Sequence, residues 1–181
     1  GELGWEIHCP VKDAPLIHES LMETGAGHGL KPFGMAALDS LRIEKGYRAW
    51  KGDLSTDYTL LEGGLGRFVT LDKAADFPGK AALAAQAAEG VRKRFAPMIV
   101  DAGACDAPYM ASVFRGDEIV GEVTSGAWGY RVGASIALAM LRVDCAAPGT
   151  ALEVSIYGER RPATVQPDRP LWDPENERLR A

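Results

Sequence analysis

Six short apolar runs between Phe95 and Val165, each soon followed by a turn signal, constrain this chain's fold more than any other feature. They are Phe95 to Val100, Tyr109 to Arg115, Glu118 to Thr124, Ile136 to Val143, Leu152 to Tyr157 and Arg160 to Val165. Each has the length of a strand rather than of a helix. Gly116-Asp117 and Gly158-Glu159 read as two-residue hairpin turns. Six strands joined by tight turns predict a small antiparallel barrel or sandwich.

Before Gly90 the texture differs. Leu3 to Pro10 alternates apolar Leu3, Trp5, Ile7 and Cys9 with Gly4, Glu6 and His8, which predicts a strand with Glu6 and His8 on one face. Asp13 is a candidate N-cap with Pro15 in the first turn; Ala14, Ile17 and Leu21 then share a face until Gly25 stops the helix. A second helix is predicted from Pro32 to Lys45, with Gly46 as a left-handed cap. Gly64 to Asp72 reads as a strand, and Lys80 to Glu89 as an alanine-rich helix ended by Gly90. The fold class is therefore α+β, with a boundary near residue 91 separating units 1–90 and 91–181. The last fifteen residues, proline-rich and charged, are expected to wrap the surface.

A length of 181 residues and 46% apolar content suit one large or two small domains with a real core. The net charge of −5 gives no basic footprint for nucleic acid, and no apolar run is long enough for a membrane helix. Cys9, Cys105 and Cys145 form no disulfide framework and suit a reducing compartment. His8, His18 and His28, ten residues apart, share no helical face and carry no metal motif. Gly25-Ala26-Gly27-His28-Gly29 reads as a loop, and Ser125 as a turn residue. Glu6 has two readings: a solvated strand carboxylate, or one half of a bidentate grip on a flat N–H donor array such as a pterin.

Several motifs bear on the choice. Gly1-Glu2-Leu3-Gly4-Trp5-Glu6 is similar to the G-E-x-G-[aromatic or aliphatic]-E element of the glycine-cleavage T-protein (aminomethyltransferase) family. Leu41 to Trp50 (LRIEKGYRAW), Leu61-Glu62-Gly63-Gly64-Leu65 and Asp76-Phe77-Pro78-Gly79-Lys80 look most like its dimethylglycine and sarcosine dehydrogenase branch. Gly121 to Gly126 (GEVTSG) resembles a turn in the family's C-terminal barrel.

The resemblance implies the C-terminal part of a folate-binding aminomethyltransferase fold over 1–90, followed by the T-protein barrel over 91–181. It implies transfer of a one-carbon unit from a methylated glycine derivative (dimethylglycine, sarcosine or glycine) to tetrahydrofolate, with a folate-binding regulatory module as the alternative. Glu6 would bind the pterin, with Ile7 and His8 along the pocket edge. Arg67 stands where the family usually has a folate-contacting aromatic residue, and Leu38 where T-proteins have an arginine. Arg42, Lys45, Arg48 and Lys51 read either as a basic edge for the folate glutamate tail or as a solvated helix face.

The family's catalytic carboxylate falls upstream of this segment, so no catalytic residue is assigned here. Asp39, Asp53 and Asp57 are candidates by residue type alone. The chain by itself is expected not to turn over. Its expected partners are folate, a small amine substrate and the upstream half of the same protein, with FAD in a further upstream domain. The expected compartment is the cytoplasm, or the mitochondrial matrix in a eukaryote. An uncovered strand edge at the start would favour a homodimer.

Overall fold

The computed structural model describes residues 4–178. Three helices come first: α1 (Ala14–Ala26), α2 (Met35–Glu44) and α3 (Lys80–Glu89). Six strands follow: β1 (Lys93–Val100), β2 (Ser112–Arg115), β3 (Glu118–Gly129), β4 (Ala134–Arg142), β5 (Ala151–Ile156) and β6 (Glu159–Val165). They close in the order β1-β4-β3-β2-β5-β6, with β6 returning to β1 and every pairing antiparallel. The strand half is thus a barrel, not a sandwich.

The barrel interior is narrow, and small side chains share it with larger ones. Ala96, Ala137, Ala139 and Ala163 pack with Met98, Val113, Val123, Leu141, Val154 and Val165. Strand β4 is covered on both faces. Ala137, Ala139 and Leu141 belong to the interior, whereas Ile136, Leu138 and Met140 pack outward against Ile43 of α2 and Phe95 of β1. This accounts for its unbroken apolar run: Ser135 to Leu141 are all buried. Each large apolar side chain so enclosed contributes on the order of 2 kcal/mol.

Turn chemistry sets the register. Arg115 pairs with Glu118 across Gly116-Asp117, where Gly116 has a φ of 61°. The second hairpin sits one residue earlier than expected. Ile156 pairs with Glu159, so the turn is Tyr157-Gly158, with both φ values positive as a type I′ turn requires.

The GEVTSG segment is also not a turn. Strand β3 runs through it, with Val123 opposite Ala139 and Ser125 opposite Leu138, so that Thr124 is the extra residue of a β-bulge. A polar Thr-Ser-Gly run mimics a turn in sequence because bulges use the same small residues.

Helix α2 ends in a Schellman motif, which explains Gly46. The Tyr47 N–H donates to the Arg42 carbonyl and the Gly46 N–H to that of Ile43, with Gly46 at a φ of 64°. Helix α3 has the predicted bounds. Helix α1 continues past Gly25 to Ala26, and Asp13 occupies its N-cap without a side-chain capping bond.

Two predicted strands are not formed. Residues 4–10 are exposed and unpaired; Leu3, the first residue of that prediction, lies outside the described residues together with Gly1 and Glu2. Between Gly64 and Asp72 the chain makes a single 3-10 turn, Gly66–Phe68. Alternation creates a strand only where a neighbour accepts its backbone hydrogen bonds, and the six barrel strands are satisfied by one another. Helix α1 buries no residue, and Trp5, Val11, Leu16, Phe33 and Met35 stand exposed on or near it in sequence. No described helix is long and apolar enough to cross a membrane.

Candidate functional site

The helical half and the barrel meet at Asp53, a fully buried carboxylate. The Thr124 hydroxyl donates to its Oδ1 at 2.5 Å. Its Oδ2 accepts from Ser125 Oγ at 3.0 Å, from Arg42 Nη1 at 2.9 Å and from the Ala49 N–H at 2.7 Å. Arg42 also donates to the Tyr47 carbonyl, to Ser125 Oγ and to Asp39 Oδ1. The bulge at Thr124 turns two consecutive hydroxyls toward one carboxylate, which a regular strand would send to opposite faces. Both oxygens are engaged by protein donors, so in this arrangement Asp53 acts as an anchor between the two halves. Asp57 is tied to Ser55 and Asp39 to Arg42.

Two more basic residues clamp the C-terminal segment. Lys45 Nζ donates to the Asp173 carbonyl and to Asn176 Oδ1, both at 2.9 Å. Arg48 pairs with Asp168 at 2.5 Å and lies over the Phe95 ring at 3.8 Å. Glu44, also buried, accepts the Arg131 and Val132 N–H groups, while its carbonyl takes those of Leu171 and Trp172. Both readings of the basic series therefore fail for Arg42, Lys45 and Arg48. They are neither a solvated face nor a free basic edge, but three clamps whose side chains are largely buried. Lys51 alone of the four is exposed. Their partners lie up to 131 residues away, out of reach of any local periodicity.

The residues assigned to pterin binding stand apart from this joint. Glu6, Ile7 and His8 are exposed. The Glu6 carboxylate lies 3.6 Å from His8 Nε2, with both side chains about 90% accessible (90% and 89%). An extended backbone does place them on one side, as the alternation predicts. Arg67 is exposed and lies over the neighbouring Phe68 ring at 4.8 Å. No hydrogen bond or ion pair joins it to Glu6 or His8 among the described residues. Leu38 is also exposed.

An ionised carboxylate with both oxygens free can accept two parallel N–H bonds from a flat donor array. Glu6 accepts no intramolecular hydrogen bond among the described residues, and apolar Trp5 and Ile7 flank it. None of these residues lines a described cleft. No described group of three acidic, histidine or cysteine side chains could hold a metal.

Comparison with known proteins covers both halves. The GCVT N-terminal domain matches residues 1–73, and the glycine cleavage T-protein C-terminal barrel domain matches residues 93–173. Dimethylglycine dehydrogenase, mitochondrial, of Rattus norvegicus is 36% identical over 99% of this chain and 21% of its own length. An aminomethyltransferase of Bacillus cereus is 41% identical over 92% of this chain and 45% of its own. The chain thus spans a fifth to under half of these relatives. In structure, glycine cleavage system aminomethyltransferase T from Bartonella henselae superposes with a TM-score of 0.77 at 24% identity, covering 87% of this chain and 43% of that one, a likeness of fold.

Proposed function

The chain belongs to the glycine cleavage T-protein family, and from that premise we propose that it is the C-terminal part of a tetrahydrofolate-dependent aminomethyltransferase-like protein. The parent would take a one-carbon unit from dimethylglycine, sarcosine or glycine. Within it, residues 1–90 would complete the folate domain and residues 91–181 form the barrel that braces it. Folate, when bound, supplies the nitrogen that receives the one-carbon unit; the chain's own residues hold and orient the ring. Glu6 would accept two parallel N–H bonds from the pterin, with Ile7 and His8 along its edge and Arg67 toward the glutamyl end. An upstream flavin domain belongs to the same proposal.

One observation carries this reading most directly. The segment holding Glu6 and helix α1 is apolar yet uncovered: α1 buries nothing, and Trp5, Val11 and Leu16 are all exposed. A face of that kind suits coverage by a folate domain's other half. Apart from His8, no acid or base pairs with Glu6 among the described residues, which leaves its carboxylate free to accept a ligand's N–H groups.

The test is calorimetric titration of the whole parent protein with tetrahydrofolate. Glu6→Ala is expected to cost about 2 kcal/mol of binding, or roughly 30-fold in affinity, because a charge-assisted pair of bonds is lost. Its melting temperature should stay unchanged, since the side chain is almost wholly accessible. Equal affinity in variant and native protein would remove Glu6 from the site.

A further inference from the structure

A concavity lies on the barrel and shares no lining residue with the Glu6 segment. It is a cleft of about 420 Å³ lined by Arg92, Lys93, Met110, Ser112, residues 119–122, Met140 and Arg142, a volume within the range of small-ligand sites. Its accessible apolar lining is Ile119 and Met110, both exposed, while Met140 is buried. Met110 holds a φ of 65°, a conformation rarely adopted by a long side chain.

The charges are unequally satisfied. Arg142 is already neutralised by Glu118 and Asp144. Glu122 accepts the Tyr58 hydroxyl at 2.5 Å, and burial together with that carboxylate holds the phenol well above its ordinary range. Lys93 lies 5.4 Å from the centroid of the Tyr58 ring. Neither Arg92 nor Lys93 has a carboxylate partner among the described residues. The cleft therefore presents two unneutralised cations and an apolar lining, against the single carboxylate of Glu122.

We propose that this cleft binds a small aromatic or aliphatic carboxylate, its anion held by Arg92 and Lys93 and its apolar body laid on Met110 and Ile119. The chemistry selects charge and shape together. A neutral molecule of the same shape leaves both cations unpaired, and a strongly hydrated anion without an apolar body leaves the apolar lining uncovered. The site stands independently of the pterin reading, since it shares no residue with Glu6, Ile7, His8 or Arg67.

The test is a backbone-amide NMR titration of the 181-residue chain with 2-naphthoate, repeated with the neutral 2-naphthalenemethanol. Saturable shifts are expected at Met110, Ser112, Ile119 to Glu122 and Met140, with an affinity tighter than about 1 mM and the alcohol at least about tenfold weaker. Strands β5 and β6 should stay unmoved. The double variant Arg92→Gln/Lys93→Gln, both exposed positions, should weaken naphthoate at least about fivefold and leave the alcohol unchanged. Equal affinity for acid and alcohol, shifts centred on another face, or no saturation by about 5 mM would each overturn the proposal. The acid-to-alcohol comparison decides the charge requirement without any variant.

Discussion

Gly126→Val is expected to leave no stably folded barrel. A Cβ at position 126 would fall deep inside contact distance of the Ala107 carbonyl oxygen and 3.0 Å from its carbon. Both are backbone atoms, so no side chain can swing aside. Relief requires β3 or the loop carrying Ala107 to move, and β3 is held at this point by its pairing with β4, Gly126 opposite Ala137. Overpacking of a closed core costs about 1–3 kcal/mol, and a backbone clash of this depth should exceed about 4 kcal/mol. That is a large share of the roughly 5–15 kcal/mol typical of a whole domain. Thermal melting by circular dichroism checks it, with Gly27→Ala as the control. Gly27 has a φ of −68° and nothing within 4 Å of the place a methyl group would take, so its melting point should hardly change. A Gly126→Val protein melting like the native one would mean that Ala107 does not approach β3 this closely.

Asp53→Ala is the second large effect. It strands Arg42, the Ala49 N–H and two hydroxyls around an apolar void. Removing one partner of a buried ion pair costs about 3–5 kcal/mol, because the remaining charge stays desolvated and unpaired. Urea denaturation should show a lower midpoint, with the extrapolated stability reduced by that amount. Asp53→Asn, which keeps the shape but offers donors to donors, should lose roughly 2 kcal/mol. Adding Arg42→Met to Asp53→Ala should recover part of the loss, since it removes the orphaned charge. Additive destabilisation in the double variant would count against Asp53 and Arg42 acting as one unit.

The elements legible in the sequence are those whose information is local. Helix α3 between Gly79 and Gly90, the cap at Gly46 and the existence of all six barrel strands follow from periodicity and turn residues, although β2 begins at Ser112 instead of Tyr109 and β3 runs on past Thr124 to Gly129. The segments Leu3 to Pro10 and Gly64 to Asp72 mislead because alternation says nothing about whether a partner exists. Thr124-Ser125-Gly126 imitates a turn because its small residues serve a bulge equally well. At the joint, Arg42, Lys45 and Arg48 show a threefold spacing typical of a solvated face. Their burial depends on Asp53, Asp168 and Asp173, the last two more than a hundred residues away from the basic residues they meet. Glu6 is a different case: spacing alone leaves it a surface carboxylate, and its assignment rests on family motifs.

The closed ring of strands has a consequence for how this protein can go wrong. A sheet that pairs with itself on both sides offers no row of free amides and carbonyls to another copy. The expectation of a dimer built by strand addition loses its basis, since residues 4–10 form no strand either. Self-association would instead run through exposed apolar side chains, Trp5, Val11 and Leu16 on or near helix α1 and also Trp50, Phe68 and Tyr157, a sticky but unpatterned contact. Such assemblies would be amorphous and reversible by mild detergent, not fibrillar.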